Sequence, residues 1–131
     1  MTLFRATMRS AAISLPLLFT SPSFAGDGDP AAGKIVFGRC TVCHVAESET
    51  NAVGPNLFGI RGRQVAAAEK FEYSPAMRAF AQGGRTWDDV TLTLFIKAPR
   101  QTVPGTKMAF AGLKNEADVS NLLAYFESLQ K

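Results

Sequence analysis

A chain of 131 residues, 47% of them hydrophobic, has room for one domain with a modest core, and its composition excludes a protein that lies mostly within a membrane. The formal charge of +3 is misleading, because residues 1–25 contain Arg5 and Arg9 and no acidic residue. Without them, 12 of the 14 basic side chains face 11 acidic ones, and a formal +1 gives no electrostatic case for binding nucleic acid.

The N-terminal segment reads as a cleavable secretory signal over residues 1–25. Arg5 and Arg9 form a positive region, Ala11 to Phe19 an apolar run, and Ser23-Phe24-Ala25 ends in small residues at −3 and −1. The run falls short of the roughly 20 residues that span a bilayer, and Pro16 interrupts it. Residues 26–131 are then expected to form one exported domain in a bacterial periplasm.

Four helices are predicted along that domain. Asp29-Pro30 pairs a cap with proline at the first helical position, and Gly33, Val36, Phe37 and Cys40 follow at helical spacing. From Thr41 to Glu72 the periodicity disappears, and Gly54, Pro55, Gly59 and Gly62 mark a loop. Some thirty residues without regular structure are unusual in a compact domain, and a large prosthetic group would organise them. Ser74-Pro75 starts a second helix through Gln82, stopped by Gly83-Gly84. Thr86 is read as the cap of a third, with Asp88 and Asp89 in its first turn and Pro99 at its end. Arg100 to Gly112 reads as irregular, and Asn115 opens a last helix with an apolar stripe of Val119, Leu122, Leu123, Phe126 and Leu129.

The two cysteines stand in Cys40-Thr41-Val42-Cys43-His44, the C-x-x-C-H signature of covalent haem attachment. Each thiol can form a thioether to a haem vinyl group, and the adjacent histidine can bind iron from one face. A thioredoxin-like pair requires a βαβ pattern that the chain lacks. A structural zinc site requires four ligands, but the two cysteines and the only histidine supply three. A plain disulfide leaves the histidine unexplained. With no second histidine, the other side of the iron falls to a thioether, and beyond the signal only Met77 and Met108 carry one. Met77 lies in a helical apolar patch with Ala76 and Phe80, where core filling accounts for it. Met108 lies in an irregular Pro- and Gly-rich loop where packing alone does not call for it, and is the favoured axial ligand.

Cys40 to His44, Gly54-Pro55-Asn56-Leu57, Trp87 and Pro104-Gly105-Thr106-Lys107-Met108 together resemble class I cytochrome c of the mitochondrial type and its bacterial periplasmic relatives, from Asp29 to Leu129. The resemblance implies an all-α small cytochrome c fold, about four short helices and long loops wrapped round one covalently bound haem c, with His44 and Met108 as axial ligands to its iron. It further implies that Pro55 accepts from the second nitrogen of His44, that Arg63, Tyr73 and Trp87 surround a haem propionate, and that Gly33 and Phe37 cross the last helix near Tyr125. Two positions depart from the family pattern. Phe95 stands where a tyrosine hydroxyl commonly reaches the ligand methionine, and Met77 stands where asparagine is frequent; both make the pocket more apolar.

With both axial positions filled there is no open site for a small-molecule substrate. The expected function is single-electron transfer by a soluble monomer that docks transiently, at its haem edge, on larger membrane-bound or periplasmic redox proteins of a respiratory or photosynthetic chain. The competing reading is a haem enzyme or gas sensor with a weak or absent Met108 bond. Lys34, Arg39, Lys97, Arg100, Lys107 and Lys114 flank the attachment and methionine loops and would steer an acidic partner, whereas Glu47, Glu49, Glu69 and Glu72 lie in the intervening loop.

Overall fold

The computed structural model describes residues 28–130, so the signal segment lies outside the described residues. The elements run α1 (Pro30–Phe37), α2 (Pro75–Phe80), α3 (Asp89–Lys97), α4 (Pro99–Thr102) and α5 (Glu116–Ser128). Among the described residues no strand forms beyond an isolated antiparallel bridge between Gln64 and Thr86, and no helix is long and apolar enough to cross a membrane.

Local chemistry sets the helix starts. The Asp29 carboxylate accepts from Ala31 N–H at 2.8 Å, Ser74 Oγ from Met77 N–H at 3.1 Å, and Asn115 Oδ1 from Ala117 N–H at 2.8 Å, each satisfying an amide that its helix leaves unpaired. The third start differs from expectation: Asp88, not Thr86, caps α3, its Oδ1 accepting from Thr91 N–H at 2.7 Å. The flanking backbone explains the shift. Val65 donates to Arg85 O at 2.9 Å, Trp87 to Arg63 O at 2.8 Å and Gly62 to Trp87 O at 2.9 Å, so Thr86 is held in an extended pairing outside the helix. A carboxylate at the positive end of the helix dipole is also the stronger cap.

Further boundaries move. The first helix ends at Phe37, short of Cys40, and the chain continues to the cysteines in tighter turns, with Arg39 donating to Val36 O at 3.1 Å and Cys40 to Phe37 O at 2.7 Å. The second ends at Phe80 and not at Gln82, whose N–H donates to Ala79 O at 3.2 Å in a tighter turn. Pro99 ends α3 as expected but also opens α4, a single turn too short to leave a periodic signal.

The core forms where α1 crosses α5. A Cβ on Gly33 would overlap the Asn121 carbonyl, so only glycine allows this approach. Phe37 packs there against Tyr125, with centroids 5.5 Å apart, and edge-on to Phe126 at 5.9 Å. Each such buried side chain contributes about 1.5–3 kcal/mol. Trp87 joins α3 to α2 by packing on Phe95 at 5.1 Å and Phe80 at 6.0 Å. Arg61 ties the central loop to both long helices, forking onto Asp89 at 2.8 and 2.6 Å and reaching Glu127 at 2.7 Å.

Candidate functional site

The turns after α1 bring Cys40, Cys43 and His44 onto one short arc, closed by bonds from Cys43 N–H and His44 N–H to the Cys40 carbonyl at 3.0 and 2.9 Å. Both cysteines are half-buried and unbridged. Burial pushes the Cys40 thiol above its usual range, against the opposing pull of Arg39, so Cys40 has little of the thiolate character that disulfide exchange exploits.

The imidazole of His44 is fixed by its surroundings. Its Nδ1 lies 2.7 Å from the Pro55 carbonyl oxygen. A carbonyl has no proton to give, so Nδ1 must donate and Nε2 keeps its lone pair. Burial holds the pKa of His44 below its usual value, with the Pro55 bond partly offsetting it, which favours the neutral ring that binds a metal. Gly54 lies against the ring, and its amide donates to Cys43 O at 2.7 Å.

Pro55 itself is held by a polar network under the loop. Asn56, 3% exposed, accepts Arg63 Nη1 on its Oδ1 at 2.9 Å and Arg63 Nη2 on its backbone oxygen at 2.7 Å. Arg63 Nη1 also reaches Phe58 O at 2.9 Å, but its buried Nε has no partner. Burial lowers the Arg63 pKa while Tyr73 and Glu49 favour its charge. The Tyr73 hydroxyl accepts from Ala68 N–H at 3.1 Å and its own proton is free to donate. Trp87 is buried and bonded through its backbone to Arg63. Arg63 and Trp87 therefore share one ladder, with Tyr73 close enough to influence the guanidinium.

Met108 is half-buried against the core, its N–H donating to Thr106 Oγ1 at 3.2 Å. The bend before it, at Gly105, abuts Ala76 of α2. Met77 is buried in the core cluster itself, as is Phe95.

These residues suit a haem. Two unbridged thiols precede a histidine of fixed tautomer, a thioether is available elsewhere, and an orphaned buried Nε has the charge and geometry to take an anionic oxygen. Among the described residues no three His, Cys, Asp or Glu side chains gather to hold a bare metal ion. Gly54 and Asn56 stand in the Gly54-Pro55-Asn56-Leu57 motif, but only the fold shows what they do, Gly54 against the His44 ring and Asn56 bonded to Arg63. Asn51 belongs to no motif and is identified by its side-chain bonds alone.

The basic side chains are less free than their sequence positions suggested. Lys34 pairs with Glu47 at 3.2 Å and Arg39 with Asp118 at 3.2 Å, while Lys97 pairs with Glu116. Arg100, Lys107 and Lys114 make no ion pair among the described residues.

No family model matches the chain. Individual proteins do. Cytochrome c-554 of Methylosinus trichosporium is 45% identical over 120 residues, covering 91% of this chain and 89% of the relative. Cytochrome c2 of Rhodoblastus acidophilus is 45% identical over 104 residues, 79% of this chain and 94% of the relative. Among solved structures, cytochrome cH from Methylobacterium extorquens superposes with a TM-score of 0.70 at 36% identity, covering 77% of this chain and 99% of its own.

Proposed function

Because this chain belongs to the class I c-type cytochromes, we propose that it carries single electrons between larger redox proteins on one covalently attached haem c. The observation that carries the reading is the arc of Cys40, Cys43 and His44 with the Pro55 carbonyl bound to Nδ1, which leaves Nε2 as the free donor. When bound, the haem supplies a one-electron iron couple whose potential the protein sets.

The chain's residues have separable tasks. Cys40 and Cys43 would hold the haem covalently, each S–H adding across a vinyl group to give a thioether, so the group would stay attached even if the fold opened. His44 Nε2 and the Met108 sulfur would supply the iron's two protein ligands and leave no open position for a substrate, as a carrier and not an enzyme requires. Pro55 keeps the His44 ring in one tautomer and orientation. Arg63, with its unpartnered buried Nε, and Tyr73, with a hydroxyl proton to donate, would hold a propionate, and buried Trp87, bonded to the Arg63 backbone, would support them. Met77 and Phe95 in the core cluster, with Leu57 packed against it, would shield the bound group from water and limit the rearrangement that accompanies each electron.

The working form comprises residues 26–131, released into the periplasm as a monomer by cleavage after Ala25. The secretory pattern of residues 1–25 supports this. Docking is transient and uses the haem edge, with Arg100 and Lys107, and Lys114 whose ammonium donates to Lys97 O at 3.2 Å, as the charges outside ion pairs that steer an acidic partner. The test is twofold. Oxidised protein should give a low-spin spectrum with a methionine-sulfur charge-transfer band, and turnover with its partner should slow as salt rises. A high-spin spectrum, or a salt-independent rate, contradicts the corresponding half.

A further inference from the structure

One peptide group in the site is bonded at both ends. The carbonyl of the Pro55–Asn56 peptide accepts from His44 Nδ1 at 2.7 Å, and its N–H, on Asn56, donates to the side-chain oxygen of Asn51 at 3.0 Å. Asn51 Oδ1 also accepts from Asn56 Nδ2 at 3.0 Å, and Asn51 Nδ2 donates to Glu69 O at 2.7 Å. This set of partners fixes the amide orientation, because a flipped Asn51 would point its NH2 at two donors and its oxygen at a carbonyl.

From this geometry we propose that Asn51 is a positioning residue for His44, acting through the Pro55–Asn56 peptide to set how strongly the imidazole donates to the iron. The inference rests on the reading of His44 as an axial ligand. Hydrogen bonds in series polarise one another. An acceptor on the peptide N–H puts more negative charge on its carbonyl oxygen, which draws the Nδ1 proton of His44 more strongly. The ring then becomes the better electron donor at Nε2 and favours the oxidised iron, so Asn51 lowers the reduction potential. Asn51 need not touch the ring or the haem to do this.

The test uses the haem-loaded protein with Asn51→Leu, which removes the acceptor at similar size, and Asn51→Asp, which keeps an acceptor, makes it anionic and gives up the donation to Glu69 O. Two quantities are read: the reduction potential, and the exchange rate of the His44 Nδ1 proton, by NMR on the reduced protein. Asn51→Leu should raise the potential and speed exchange by roughly fivefold, as expected for one weakened hydrogen bond. Asn51→Asp should lower the potential and slow exchange. Unchanged exchange in both variants overturns the proposal and leaves Asn51 a loop brace. A lowered potential in Asn51→Asp without slower exchange is the bare effect of a new charge and also overturns it. If Asn51→Leu does not fold, the exchange rate in Asn51→Asp decides alone. Loss of His44 ligation in the unsubstituted protein would take down the axial-ligand reading as well, whereas unmoved exchange in a correctly ligated variant takes down only the inference.

Discussion

The α-carbon face of Gly54 lies flat on the imidazole of His44, so closely that a Cβ at residue 54 would fall 2.8 Å from Nδ1. The ring cannot retreat without giving up its 2.7 Å bond to Pro55. Gly54→Ala should therefore tilt His44 and destabilise the haem-loaded protein by about 1–3 kcal/mol, the usual cost of overpacking. The denaturation midpoint and the fraction of molecules retaining a low-spin spectrum would register it. An unchanged midpoint with an unchanged spectrum would mean that the ring is not held as described.

Two methionines can supply the second axial sulfur, and their surroundings separate them. Met77 is 9% exposed within the core, whereas Met108 sits half-buried on an irregular loop. Met108→Ala should abolish the methionine-sulfur band while covalent haem is retained. Met77→Leu, close in volume, should keep the band and cost less than about 1.5 kcal/mol of stability. The reverse pattern would exchange the two assignments.

The expectations that held were those read from neighbouring residues. Asp29-Pro30 and Ser74-Pro75 were legible as helix starts because cap and proline act within one turn. The Cys40 to His44 spacing was legible for the same reason, and the apolar repeat of α5 gave the face that meets α1. Thr86 misled because its role depends on pairing with residue 64, twenty-two positions earlier, which no local pattern encodes. The four-residue α4 was invisible to periodicity. Arg61 and Asn51 have no motif of their own, and Asn56, although it stands in the Gly54-Pro55-Asn56-Leu57 motif, takes its part through side-chain bonds to Asn51 and Arg63 that only the folded geometry shows.

Ala66 and Lys70 adopt left-handed backbone conformations, with φ of 59° and 55°. Side chains with a Cβ pay for this geometry and glycine does not. Ala66→Gly and Lys70→Gly should each stabilise the protein by roughly 0.5–1 kcal/mol, after the entropy that glycine adds to the unfolded chain. A fall in the denaturant midpoint in either variant would show that another contact outweighs the strain.

Acid should weaken the fold as two carboxylates lose their partners. Glu47, lowered from 4.5 mainly by its bond to Lys34, and Asp88, lowered from 3.8 mainly by the Thr91 amide, contribute stability that is complete above about pH 4.5 and is lost as pH falls through their lower, folded values. Denaturant midpoints measured from pH 8 to pH 3 should therefore decline below about pH 4.5. A midpoint that rises over that acidic range would contradict the assignment.

The mass of the denatured protein, made in cells able to mature c-type cytochromes, decides whether a haem is covalently attached. The expected value is that of the polypeptide from Gly26 plus one haem, with no titratable thiol at Cys40 or Cys43. A mass equal to the bare polypeptide, with two free thiols or one disulfide, would contradict it.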